Sequence, residues 1–166
     1  KILEETLGIK FKAKSLIITI HPETLNRKEI NQQILIVLGA LKKLKDTTFI
    51  FTMPNNDIGS YEIEKQIKKF CKNNNNAFFF KSLGRTVYLS CVRRVDAVLG
   101  NSSSGIIEVP SLKKPSIDIG KRQYGRVRAR SVISCDFNKL KILSSIKKIY
   151  SKKFLMNLNN FTNPYY

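Results

Sequence analysis

Continuous apolar runs alternate with helix-spaced patterns along almost the whole chain, and this alternation most constrains its fold. Residues 15–20, SLIITI, have no polar face, as expected of a strand buried on both sides. Residues 27–44 then place Ile30, Ile34, Val37, Leu38, Leu41 and Leu44 at helical spacing. Further strands are predicted over 48–53, 77–81, 95–99, 115–119 and, briefly, 132–134. Helices are predicted over 61–71, 86–94, a short stretch reaching Glu108, and 138–150. Parallel strands need crossover helices, so this order predicts an α/β domain with a doubly wound parallel sheet. Such sheets bind ligands beyond the carboxyl ends of their strands. The loops expected there are 21–26, 54–59, 82–85, 100–105 and 120–130.

With 166 residues the chain is long enough for one domain with a real core. No apolar run approaches the roughly 18 residues of a membrane span, and the charged opening, residues 1–14, is no secretory signal but an amphipathic lead-in. Lys and Arg number 30 against 12 Asp and Glu, a formal charge of +18. That excess suits phosphates or polyanions, but it also accompanies the Lys, Asn and Ile richness of AT-rich coding. A nucleic-acid-binding domain needs exposed aromatics on a basic face. Phe78, Phe79 and Phe80 instead sit in a predicted strand and read as core. Cys71, Cys91 and Cys135 are dispersed and form no CxxC pair, which argues against a zinc site or disulfide framework and for reduced cytosolic thiols. His21 is the one histidine.

The most informative segment is Val98-Leu-Gly-Asn-Ser-Ser-Ser-Gly-Ile-Ile-Glu108, a strand, a small polar turn and a helix start. The first turn of a helix exposes unpaired N–H groups and a partial positive charge, and a phosphate fits there. Ser102, Ser103 and Ser104 add hydroxyls, while Gly100 and Gly105 permit close backbone approach. An ordinary N-cap with spare serines has the same pattern. Glu108 cannot close a capping box, because position 105 is Gly rather than Ser or Thr. It either complements the helix dipole or accepts hydrogen bonds from sugar hydroxyls. His21 follows a buried strand, so it reaches the ligand edge as a phosphate donor, an acid–base group or an incidental residue. Residues 120–130 carry Lys121, Arg122, Arg126, Arg128 and Arg130 without an acid, either gripping a diphosphate or forming a solvated loop. Asn55 and Asp57 are turn formers that could also touch ligand.

Together these words resemble the hydrolysing UDP-N-acetylglucosamine 2-epimerases of sialic and related nonulosonic acid biosynthesis. The matching segments are Ile20-His21-Pro22, Phe51-Thr-Met-Pro-Asn-Asn-Asp-Ile-Gly59, Lys81-Ser-Leu-Gly84, Gly100-Asn-Ser-Ser-Ser-Gly-Ile-Ile-Glu-Val-Pro-Ser111 and Ile119-Gly-Lys-Arg-Gln-Tyr-Gly-Arg126. The resemblance implies a glycosyltransferase-B-type enzyme of two Rossmann-like domains, with UDP held mostly by the C-terminal one. By resemblance, Ser102, Ser103, Ser104 and Gly105 meet the diphosphate and Glu108 the ribose. His21 would assist departure of UDP, Ser82 and Leu83 would lie against uracil, and Asn55 and Arg122 would also contact ligand. No cofactor or metal is implied.

The single Glu at the helix start and Lys121-Arg122-Gln123 favour the hydrolysing branch over its non-hydrolysing sisters and related transferases. That branch eliminates UDP to a glycal and adds water, releasing N-acetylmannosamine or a 2,4-diacetamido analogue. The implied partners are UDP, a UDP-sugar and an N-terminal domain that this chain lacks; family relatives commonly form homo-oligomers. The chain is expected to be a truncated C-terminal UDP-binding domain, bacterial and cytoplasmic, that binds UDP weakly and does not turn over substrate alone.

Overall fold

A computed structural model describes residues 2–53 and 58–166. Six strands form one all-parallel sheet: β1 (Lys14–Thr19), β2 (Thr47–Thr52), β3 (Ala77–Phe80), β4 (Ala97–Gly100), β5 (Ser116–Ile119) and β6 (Val132–Cys135). Their spatial order is β3-β2-β1-β4-β5-β6. The expected doubly wound parallel sheet is therefore the observed one. Strand order reverses between β1 and β4, which pair from Leu16↔Ala97 to Thr19↔Gly100. That reversal opens a crevice at the carboxyl ends of these two strands.

The helices are α1 (Ile2–Leu7), α2 (Arg27–Leu41), α3 (Ser60–Lys72), α4 (Gly84–Arg94), α5 (Ser104–Ile107), α6 (Lys139–Ile149) and α7 (Lys152–Met156), with a 3-10 turn at Val109–Leu112. β1 explains the two-layer cover. Leu16 and Ile18 point into one core with Ile30, Ile34, Val37 and Leu41 of α2 and Ile142 and Ile146 of α6. Ile17 points the other way, towards Cys91 and Val92 of α4 and Val109. A side chain so buried stabilises the fold by roughly 1.5–3 kcal/mol, which is why β1 tolerates no polar face. Phe79 packs on the first core and Phe78 and Phe80 on the second, so these rings are packing, not a nucleic-acid platform.

Several boundaries differ from the sequence expectation. α2 stops at Leu41 rather than residue 44, because Lys43 and Leu44 turn back to the Ala40 and Leu41 carbonyls. α4 begins at Gly84 rather than residue 86, since Gly84 adopts a positive φ of 63° and its N–H donates to Ser82 Oγ. Val95 caps α4 instead of opening β4. α1 and α7 were not expected as helices. α1 follows from its amphipathic lead-in, with Leu3 and Leu7 on the second core. α7 is capped by Ser151, whose side chain accepts from Phe154 N–H.

The three cysteines are free thiols, and burial pushes the Cys71 and Cys91 thiols up to about 11 from an ordinary 9.0. A thiol pKa raised by folding contributes stability below the unfolded value that is lost as pH climbs through the folded one. The urea midpoint is therefore expected to fall between pH 9 and about 11. The fall should shrink in Cys71→Ser, and an identical pH profile for that variant would rule out burial of the Cys71 thiol as a contributor. Among the described residues no helix is long and apolar enough to cross a membrane.

Candidate functional site

The site begins at the last residue of β4. Gly100 has φ 147°, and a Cβ there would run into the Thr19 carbonyl of β1. The glycine thus lets β4 close against β1 where the crevice opens. The next residue, Asn101, is fully buried and acts as a hub. Its N–H donates to Thr19 O at 3.1 Å. Its Oδ1 accepts from His21 N at 2.6 Å, and its Nδ2 donates to His21 O at 2.9 Å. Its carbonyl accepts from Arg122 Nη1 at 3.3 Å and from Gln123 Nε2 at 2.9 Å. One asparagine therefore ties together the turns after β1, β4 and β5.

A cleft of about 560 Å³ lies over this hub. His21, Ser82, Leu83, Ser102, Ser103, Ser104, Glu108 and Arg122 all line it, joined by Thr19, Lys81, Arg85 and Tyr88. Of the residues singled out in the sequence, these eight are brought together. Gly105 is not on the wall. It packs behind it, where an added Cβ would lie 2.6 Å from Ser116 Oγ, so its smallness serves the seating of α5 on β5. Asn55 lies outside the described residues, as does Asp57.

The chemistry of the wall follows from its bonds. Ser103 is the N-cap of α5 and makes no side-chain capping bond. The Gly105 and Ile106 N–H groups return to the Ser102 and Ser103 carbonyls at 3.2 and 3.0 Å, which leaves the N–H groups of Ser102, Ser103 and Ser104 to face ligand. Ser104 Oγ is already engaged by Tyr88 OH at 2.9 Å. Burial raises the Tyr88 pKa, so the phenol stays neutral and fixes that hydroxyl. Ser102 and Ser103 are half-buried on the cleft wall, and Ser104 offers its amide. Glu108 ends α5 and starts the 3-10 turn, with no side-chain capping bond at either. A carboxylate at the carboxyl end of α5 gains nothing from that helix's dipole, while at the N-cap of the 3-10 turn it complements only that one short turn.

The basic loop divides in two. Arg128 is committed to the protein: Nε and Nη2 reach Asp118 Oδ2 at 3.2 and 2.8 Å, and Nη2 also reaches Gln123 O. Burial raises the Asp118 pKa, and the Arg128 bond and charge oppose that rise. Arg122 differs. Apart from the one bond to Asn101 O, no ion pair among the described residues engages its guanidinium. It lines the cleft with Ser102, Ser103 and Ser104 and presents positive charge there.

Sequence reasoning had not assigned individual roles to Asn101, Glu23, Tyr88, Lys81 or Arg85. Asn101 could have been found, since a polar side chain directly after an apolar parallel strand must be satisfied locally. Glu23 could not, because its partners are about a hundred residues away.

The sequence profile described as UDP-N-acetylglucosamine 2-epimerase matches residues 1–166. The chain belongs to this family. It is 41% identical over 158 residues to the GDP/UDP-N,N'-diacetylbacillosamine 2-epimerase (hydrolyzing) of Campylobacter jejuni, covering 95% of this chain and 41% of that protein. It is 40% identical over 151 residues to the polysialic acid biosynthesis protein P7 of Escherichia coli, covering 90% of this chain and 38% of that one. This epimerase-family chain thus spans about 40% of the length of the curated relatives it matches. Its fold matches the UDP-GlcNAc 2-epimerase of Neisseria meningitidis, solved with UDP-GlcNAc, at TM-score 0.71, 19% identity and 99% of this chain against 43% of that one. The Staphylococcus aureus MnaA–UDP structure gives TM-score 0.75 at 15% identity, again with 99% of this chain and 43% of the other. Likeness at those identities establishes the fold alone.

Proposed function

We propose that this chain is the UDP-binding half of a hydrolysing UDP-N-acetylglucosamine 2-epimerase. The observation that carries the reading is one cleft that joins an uncapped helix start, an arginine with no ion pair among the described residues and a carboxylate at the strand-order reversal. A diphosphate suits the amides of Ser102, Ser103 and Ser104, with Arg122 adding N–H donors. Glu108 takes the ribose hydroxyls, a charge-assisted bond of the kind acidic residues make to ribose in other doubly wound folds. Ser82 and Leu83 flank the uracil, and Asn55, which follows β2 in the sequence, also contacts the ligand. His21 stands beside the diphosphate and stabilises charge on the departing UDP.

In the whole enzyme, loss of the C2 proton with departure of UDP leaves a glycal. Water then adds across the double bond, its hydroxyl to the anomeric carbon and a proton to the opposite face of C2, giving the 2-epimeric sugar beside free UDP. The name of the C. jejuni relative carries both "hydrolyzing" and "diacetylbacillosamine", which favours a 2,4-diacetamido sugar over plain N-acetylglucosamine. The product then serves nonulosonic acid synthesis of the sialic acid type. Three free thiols suit the reducing bacterial cytoplasm as the setting.

Calorimetric titration of the 166-residue chain with UDP tests the reading. Binding is expected, with no release of sugar from UDP-sugar by this chain alone. The full-length enzyme is expected to yield UDP and a 2-epimeric sugar. Absence of UDP binding, or retention of the UDP-sugar as the full-length product, overturns the assignment.

A further inference from the structure

Glu23 sits two residues beyond His21, half-buried, yet its carboxylate bonds to a different loop. Lys121 N–H donates to both of its oxygens at 3.1 Å, and Arg122 N–H donates to Oε1 at 2.9 Å. Asn101 Nδ2 donates to the same Oε1 at 3.2 Å. The approach is made possible by Gly120, whose φ is 83° and whose missing Cβ would collide with Glu23 Oε1 and Phe137. Residues 120–122 thus form an amide-lined turn filled by the protein's own carboxylate. Arg122 is then held at both ends, its backbone by Glu23 and its guanidinium by Asn101 O.

We propose that Glu23 is a positioning residue that presets Arg122 for the diphosphate and so makes the cleft select UDP over uridine; this rests on the UDP reading above. A free arginine carries about 2 kcal/mol of side-chain rotamer entropy, and ordering it before the ligand arrives removes part of that cost from binding. Among the described residues the Glu23 carboxylate bonds to Asn101, Lys121 and Arg122, and to none of the residues at the uridine end of the cleft. The effect is therefore confined to the diphosphate. Lys121 also lies outside the cleft wall, so its amide serves only to anchor the turn.

Titrations of UDP and of uridine into the wild-type chain, Glu23→Ala, Glu23→Gln, Arg122→Ala and the Glu23→Ala/Arg122→Ala double variant test the proposal. Glu23→Ala is expected to weaken UDP about tenfold while uridine changes by less than about twofold. Glu23→Gln keeps the Oε1 that takes three of the four bonds and should retain most of the UDP affinity. The double variant should bind UDP no worse than Arg122→Ala alone, because Glu23 acts through that residue. Equal loss of UDP and uridine in Glu23→Ala, or additive loss in the double variant, overturns the proposal. Amide hydrogen exchange in the absence of ligand separates the two readings. Lys121 and Arg122 should exchange faster in Glu23→Ala with β4 unchanged. If they do and the wild type still binds no UDP, the functional reading fails while the clamp stands. Unchanged exchange at both amides removes the clamp itself.

Discussion

Glu108→Ala is expected to weaken UDP binding by about 1–3 kcal/mol, roughly 5- to 150-fold, while leaving the fold intact. The carboxylate is half-buried on the cleft wall, and no hydrogen bond or ion pair among the described residues engages it. A half-buried acid that serves neither as a cap nor as an ion-pair partner contributes little to folding, so its removal should move the melting temperature only slightly. Its backbone N–H donates to Ser104 O at 3.0 Å and its carbonyl accepts from Ser111 N–H at 3.1 Å, and both bonds survive the substitution. The bond lost is one between a charged acceptor and sugar hydroxyls, which is worth more than a neutral pair. Isothermal titration with UDP measures the change, and Glu108→Gln, which keeps an acceptor, should lose less. Unaltered affinity in the alanine variant removes Glu108 from the ligand and with it the ribose end of the proposed site.

The fold was legible because the information that specifies it is local. SLIITI of β1 and the Ile30–Leu41 spacing of α2 each follow from burial on one or two faces, and parallel pairing follows from their alternation. Helix ends were less legible, because they depend on single backbone turns such as the positive φ of Gly84 and the return of Lys43 to Ala40. At the site, the segment from Gly100 to Glu108 announced itself through small residues at a strand–helix junction. The assignment of Gly105 to ligand approach did not survive as geometry, since the space it vacates is taken by Ser116 Oγ of β5. Sequence could not separate Arg122 from Arg128 either. Both are arginines in one acid-free loop, and only the fold brings Asp118 against Arg128 and leaves the Arg122 guanidinium without an ion pair among the described residues. Which basic residue is structural is a long-range property, and no spacing within the loop encodes it.

Asn101→Ala is expected to cost roughly 2–5 kcal/mol of stability, because the deletion removes buried hydrogen bonds. The side chain joins both polar atoms of the His21 backbone, the N–H at 2.6 Å and the carbonyl at 2.9 Å, and it donates to Glu23 Oε1 as well. Asn101 and His21 are both buried, at 0% and 6% exposed, so alanine removes two backbone-anchoring bonds from the crevice floor. For a domain of this size each kcal/mol moves the melting temperature by about 2–4 °C, so a drop of roughly 5–15 °C is expected by calorimetry or circular dichroism. Asn101→Asp separates geometry from donor capacity. It keeps the acceptor for His21 N–H but replaces the donor with a carboxylate facing the His21 carbonyl and the Glu23 carboxylate, so it should be no more stable than alanine at neutral pH. UDP binding should fall with both variants, because the turns carrying His21, Ser102 and Arg122 lose their common anchor. A melting temperature within about 2 °C of wild type for Asn101→Ala would mean that the three turns hold their places without the hub. The cleft would then owe its shape to the sheet alone.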